Sequence, residues 1–219
     1  MSPQARRAHA ALPQTQCTRC GYADCAGYAE AVAAGAAAIN QCPPGGAEGV
    51  GRLAALTGQP LLPLNPVHGQ EGPRMVAVID EHWCIGCTLC IEACPTDAIL
   101  GSHKRMHTVI ERYCTGCELC GPVCPVDCIS MDNVTGERTG WAAWSQAQAD
   151  EALQRYEARR ARLARASGGR EQRLGSEDRP KVADPASDAP TTAAGETDRK
   201  RALIEAALAK ARARKPASG

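Results

Sequence analysis

The sequence predicts an α+β chain: a small helical domain, then two similar β-loop-helix-β halves packed on each other, then a helical and disordered tail. Three observations carry this. Residues 74–132 repeat with an offset of 30, which lays Trp83 on Tyr113, Gly86 on Gly116, Leu89 on Leu119, Asp97 on Asp127 and Ile99 on Ile129. Twelve of the 13 cysteines fall in three sets. The 219 residues include no Phe and only 3% aromatics, so a large apolar core is out of reach. Bound metal can supply the missing stability, because coordination free energy is also folding free energy.

Taken in order, residues 1–13 are expected to be disordered. Residues 14–58 form the N-terminal cysteine-bearing domain. Within it, Ala-rich 23–40 carries Tyr28, Val32 and Ile39 and is expected to be a helix despite Gly35; residues 49–56 make a second, shorter one. Pro60, Pro63, Pro66 and Pro73 mark 59–73 as an extended linker, which leaves the first domain as a unit of its own. The repeat follows as 75–104 and 105–134. Residues 76–79 and 107–110 read as strands before each cysteine loop, and 99–100 and 129–131 as strands after it. Each half is too small to bury a core alone.

Beyond residue 138 the chain changes character. Residues 139–166 are expected to be a helical extension whose apolar positions, Trp141, Trp144, Leu153, Tyr156 and Leu163, are too sparse for a clear core face. Residues 167–197 are polar and expected to be disordered. Residues 198–215 are expected to form a basic helix. There, Lys200, Arg201, Lys210, Arg212, Arg214 and Lys215 could face an acidic partner or anionic lipid. The bland alternative for the whole tail is a solvated extension.

Charge is uneven. Residues 1–150 hold 9 Lys+Arg against 14 Asp+Glu, a net −5, and residues 151–219 hold 16 against 10, a net +6. The mixed signs after residue 150 and the single aromatic there, Tyr156, argue against nucleic acid as a partner. The N-terminus lacks the apolar run of a secretory signal, so the cysteines read as thiolate ligands in a reducing cytoplasm and not as disulfides. No stretch approaches the ~20 apolar residues that span a bilayer.

The cysteine spacing carries the chemistry. Cys84-x2-Cys87-x2-Cys90-x3-Cys94-Pro95 recurs as Cys114-x2-Cys117-x2-Cys120-x3-Cys124-Pro125. Two-residue gaps turn the chain around a [4Fe–4S] cube, Gly86 and Gly116 let the backbone come close, and in bacterial two-cluster ferredoxins the fourth cysteine of each run ligates the other cluster. That rule assigns Cys84, Cys87, Cys90 and Cys124 to one cluster and Cys114, Cys117, Cys120 and Cys94 to the other. Zinc is the alternative, but four-cysteine zinc sites pair two separated C-x2-C units without a third cysteine close behind. Cys17, Cys20, Cys25 and Cys42 form the third set, with wider gaps; spacing alone leaves both a cubane and zinc open for it.

Cys128 is left over. It aligns with Ala98 and reads as a small buried hydrophobe. His9, His68, His82, His103 and His107 form no set with ligand spacing and read as isolated surface or loop residues. No dinucleotide fingerprint, P-loop or nucleophile motif occurs, so the chain reads as an electron carrier with no substrate site of its own.

These residues resemble the B-type subunit of the Rnf/Rsx electron transport complex, the iron–sulfur subunit of an ion-translocating ferredoxin:NAD oxidoreductase. The likeness runs over about residues 12–132. It rests on Leu12-Pro13-Gln14-Thr15-Gln16-Cys17-Thr18-Arg19-Cys20-Gly21-Tyr22, on Cys42-Pro43-Pro44-Gly45-Gly46, on the stretch from Arg74 to Glu81, and on both cysteine runs. The resemblance implies a [4Fe–4S] cluster on Cys17, Cys20, Cys25 and Cys42 as well, hence three [4Fe–4S] clusters in series. It implies as partners the other subunits of a membrane electron transport complex. Usual members of the family begin with a transmembrane helix and none is seen here. The expectation is therefore a soluble variant, cytoplasmic or peripheral on the cytoplasmic face of the inner membrane through its basic tail. The alternative is a soluble ferredoxin-like reductase or redox-sensing module for a regulator, outside any ion-pumping complex.

Overall fold

The computed structural model describes residues 1–176, with side chains described to residue 167. The expected basic helix 198–215 and its six cations lie outside the described residues.

The chain opens with helix α1, Pro3–Ala10. This corrects the expectation of disorder over 1–13. The Ser2 hydroxyl accepts from the Ala5 N–H, Pro3 occupies the first helical turn, and Ala5 and Ala8 are small enough to pack closely on the next helix. That helix is α2, Cys25–Ala33, capped by the Asp24 carboxylate, which accepts from the Gly27 N–H at 2.7 Å. It stops well short of residue 40 because Gly35 adopts φ 71°, and the Ala36 N–H turns back to the Ala31 carbonyl. Helix α3, Gly46–Thr57, ends at the left-handed Gly58. Leu12, Tyr28, Val32, Ile39, Val50 and Leu53 fill the space between the three helices, each at most 2% exposed. The Tyr28 hydroxyl donates to the Ala38 carbonyl, which satisfies the one polar tip in this core.

The repeat builds two short antiparallel ladders. Strand β1, Met75–Ile79, pairs with β4, Ile129–Asn133, in the register Met75↔Asn133 to Ile79↔Ile129. Strand β2, Ile99–Leu100, pairs with β3, Thr108–Val109. Each ladder thus takes one strand from each half. A one-turn helix α4, Leu89–Ala93, follows the first cysteine loop. The backbone repeats as the sequence does: Gly86 and Gly116, Thr88 and Glu118, and Asp97 and Asp127 all have positive φ, in matched pairs within a few degrees.

The two glycines have a role beyond a close approach to a cluster. A Cβ on Gly116 would lie 2.4 Å from the Met75 carbonyl oxygen, and one on Gly86 would lie 2.5 Å from the backbone of Arg105, the residue that repeats Met75. Each glycine is therefore the seat on which the opposite half rests. Gly116→Ala combines a left-handed backbone with a clash against main chain and is expected to cost roughly 2–4 kcal/mol. A thermal midpoint within a degree of wild type would refute this.

The linker and tail are packed as well. The Asn65 N–H and the Asn40 side-chain amide tie the proline-rich segment to the N-terminal domain. Residues 1–172 form one compact unit, so the cysteine domains touch directly and are not separated by a free linker. Helix α5, Gly140–Ala143, is followed by extended Trp144 and then by α6, Gln146–Ser176. Ser145 and Gln148 exchange hydrogen bonds as a capping box at its start. The helix continues past residue 166 into the stretch expected to be disordered, since no proline interrupts it before Pro180. No helix among the described residues is long and apolar enough to cross a membrane.

Candidate iron–sulfur sites

The N-terminal set gathers around a sharply bent loop. Gln14, Gln16 and Thr18 all adopt positive φ, at 58°, 54° and 60°. Such conformations cost about 1 kcal/mol or more each for residues other than glycine. Two buried amides hold the loop in place: Gln16 Nε2 donates to Gln14 Oε1, and Gln16 Oε1 accepts from the Cys25 N–H at 2.9 Å. Cys17, Cys20, Cys25 and Cys42 consequently line one cavity, floored by Leu12 and Tyr28. Burial pushes the Cys25 thiol up to about 12 and the Cys42 thiol well above its ordinary range. Binding there must displace protons as the thiolates form.

In the repeat, Cys94 leaves the run it belongs to and faces Cys114, Cys117 and Cys120 across a second cavity, lined also by Ala77, Ala98 and Ile99. The Cys117 thiol is pushed up to about 12, mainly by burial, with Cys94, Cys114 and Cys120 all close enough to add to the effect. The Cys90 thiol is pushed up to about 11, again by burial first and then by Cys87 and Cys84. The Cys128 thiol stands 3.5 Å from the Cys124 sulfur and also senses Cys84. Cys128 is buried, with its thiol raised to about 12 by burial and by the Cys124 thiol beside it.

Backbone donors reach the sulfurs in a matched way. The Ala77 N–H points at Cys114 Sγ, 3.5 Å away, and the N–H of His107, the residue that repeats Ala77, points at Cys84 Sγ, 3.4 Å away. The Ala98 N–H donates to Cys94 Sγ at 3.2 Å. Donors of this kind are what an iron–sulfur centre uses to stabilise negative charge on its ligands.

His107 departs from the surface reading its isolation predicts. It is 1% exposed, with Nδ1 3.3 Å from Cys90 Sγ and Nε2 3.3 Å from the Ser102 carbonyl oxygen. Because the same position in the other half is Ala77, only one half has an imidazole against its sulfurs. His107→Leu removes this contact on the Cys84 side alone. The expected result is a reduction potential shifted by on the order of tens of millivolts for the centre beside Cys90, in a redox titration followed by electron paramagnetic resonance. Equal potentials in variant and wild type would refute it.

Among the described residues, no three His, Cys, Asp or Glu side chains converge tightly enough to hold a single metal ion. Tetrahedral zinc on four thiolates would need sulfurs about 3.8 Å apart. Four cysteines that line a cavity without meeting at a point suit a multi-iron core better.

Comparisons with known proteins agree with this chemistry. A family model for a 4Fe-4S dicluster domain matches residues 77–131, and a second, for an Fe-S cluster, matches residues 12–44. The B-type subunit of the ion-translocating oxidoreductase complex of Azoarcus sp. is 59% identical over 139 residues, which cover 64% of this chain and 76% of that protein. The subunit of the same name from Alkalilimnicola ehrlichii is 56% identical over 153 residues, 69% of this chain and 81% of that one. The one from Thiobacillus denitrificans is 59% identical over 109 residues, 50% and 58%.

Proposed function

The chain belongs to the family of B-type subunits of the ion-translocating oxidoreductase complex, and from that premise we propose that it relays electrons through three [4Fe–4S] clusters as the iron–sulfur subunit of such a complex. It is an electron-transfer protein that binds 4Fe-4S clusters. The proposal adds their number and their ligands. Cys17, Cys20, Cys25 and Cys42 hold one cluster, Cys84, Cys87, Cys90 and Cys124 a second, and Cys94, Cys114, Cys117 and Cys120 a third. The observation that carries this reading is the company Cys94 keeps, with the three cysteines of the other run around a shared cavity.

Each cluster supplies one-electron redox chemistry when bound. The chain's own residues hold it, exclude water and set its potential. Leu12 and Tyr28 close the N-terminal site, Ala77 and His107 offer N–H groups to sulfur, and Gln14 and Gln16 fix the loop that carries Cys17. Partners are the other subunits of the complex, approached through whichever site reaches the surface.

Anaerobic reconstitution with iron and sulfide tests the reading. About twelve irons per chain are expected, four for each cube. Four or fewer, or stoichiometric zinc in a colourless protein isolated without air, would overturn it.

A further inference from the structure

The two halves of the repeat are alike in sequence and backbone but face different surroundings. Ile85, between the first two cysteines of the first run, is 57% exposed; Thr115, its counterpart, is 6% exposed. Trp83 is 68% exposed, whereas its counterpart Tyr113 lies under the Arg155 guanidinium, 3.5 Å from the ring centroid. The second run is covered by the chain itself: Arg155 of α6 lies over Tyr113, and the N-terminal cysteine loop lies against Thr115. The Thr115 hydroxyl donates to the Thr15 carbonyl oxygen at 2.9 Å, in a buried bond between residues 100 apart in sequence. Thr15 lies two residues before Cys17, and Thr115 directly follows Cys114. Beside them, Arg19 pairs with Glu118 at 2.7 Å. The Trp144 indole donates to the Pro13 carbonyl while lying 4.9 Å from the Arg74 guanidinium, and Arg74 in turn donates to the Cys114 carbonyl.

On these contacts, and resting on the three-cluster reading above, we infer that the relay has a fixed order: the N-terminal site exchanges electrons with the Cys94/Cys114/Cys117/Cys120 site through the Thr15–Thr115 contact, and the Cys84/Cys87/Cys90/Cys124 site is the outward end. Tunnelling falls steeply with distance and is faster through bonded and hydrogen-bonded atoms than across gaps. Thr15 and Thr115 join the two ligand loops with one hydrogen bond, and among the described residues no such bridge links the N-terminal loop to the first run. Each passage moves one electron: the donor site is oxidised by one, the neighbouring site is reduced by one, and no bond is made or broken. Thr115 acts as a positioning residue for this step.

The test uses the full chain, reconstituted and reduced with dithionite, and reads magnetic coupling between clusters by electron paramagnetic resonance. With the first run disabled by Cys87→Ala, the N-terminal cluster is expected to keep a coupled, broadened signal. With the second disabled by Cys117→Ala, it is expected to show the signal of an isolated centre. Should both alanine variants misfold, Thr115→Val provides the test in an otherwise intact protein. It is expected to weaken the coupling and slow re-oxidation of the N-terminal cluster several-fold at unchanged iron content, with Thr115→Ser restoring both. Coupling that survives in Cys117→Ala, or a Thr115→Val protein identical to wild type in coupling and rate, overturns the order alone. A wild type with no cluster at the N-terminal site overturns the three-cluster reading and the order with it.

Discussion

Cys94→Ala is expected to remove the cluster of the second cysteine run and to spare the cluster of its own. Cys94 sits among Cys114, Cys117 and Cys120 around one cavity, and the set proposed for the first run is Cys84, Cys87 and Cys90 with Cys124. Iron should therefore fall from about twelve to about eight per chain, with labile sulfide falling in step. The paramagnetic signal that disappears should be the one that Cys117→Ala also removes. If Cys94→Ala instead removes the signal lost in Cys87→Ala, each run closes its own cluster and the crossing is wrong. The structural effect is large too, because the crossed ligand is what makes the two halves share their metal. Losing it leaves Gly86 and Gly116 seated on opposite halves with one of the two centres gone.

The second large effect is expected at Trp144. Its side chain is 5% exposed, with the indole N–H bonded to the Pro13 carbonyl at 2.8 Å and Ala149 and Ala152 packed against it. Trp144→Ala removes a large buried side chain and leaves a carbonyl unpaired, at a cost of about 3–5 kcal/mol. For a domain of this size that lowers the apparent Tm by roughly 10 °C at a fixed scan rate. Calorimetry of the reconstituted protein checks it. A change of only a degree or two would mean that α5 and α6 lie loosely on the rest.

That outcome bears on how much the sequence discloses. The cysteine runs, the offset of 30 and the glycines between ligands are legible because metal coordination and positive φ tie chemistry to spacing along the chain. The burial of His107 is not legible. Its counterpart is Ala77, so the repeat offers no second histidine to compare, and its partners are a sulfur and a carbonyl brought to it by folding. The packing of helix α6 is hidden for a related reason. Its apolar positions are few because it is held by polar contacts: Arg155 donates to the Thr96 and Asp97 carbonyls, Arg159 and Arg162 both pair with the Asp97 carboxylate, and Tyr156 donates to Asp24. An arginine that binds backbone looks, in sequence, like an arginine in water. Helix α1 escapes notice because alanines that pack closely leave no apolar periodicity.

The contacts of α6 also set an order of events during synthesis. Trp144 meets Pro13 across 131 residues and Tyr156 meets Asp24 across 132. All twelve cysteines of the three sets have left the ribosome before either contact can form. The strap that spans both cysteine domains is thus made after every cysteine of the three sets, and long-range closure of this kind is intrinsically slow. A nascent chain therefore passes through an interval in which every ligand loop is synthesised and none is yet strapped. Iron and sulfide delivered in that interval meet open loops; delivered later, they must enter a closed protein.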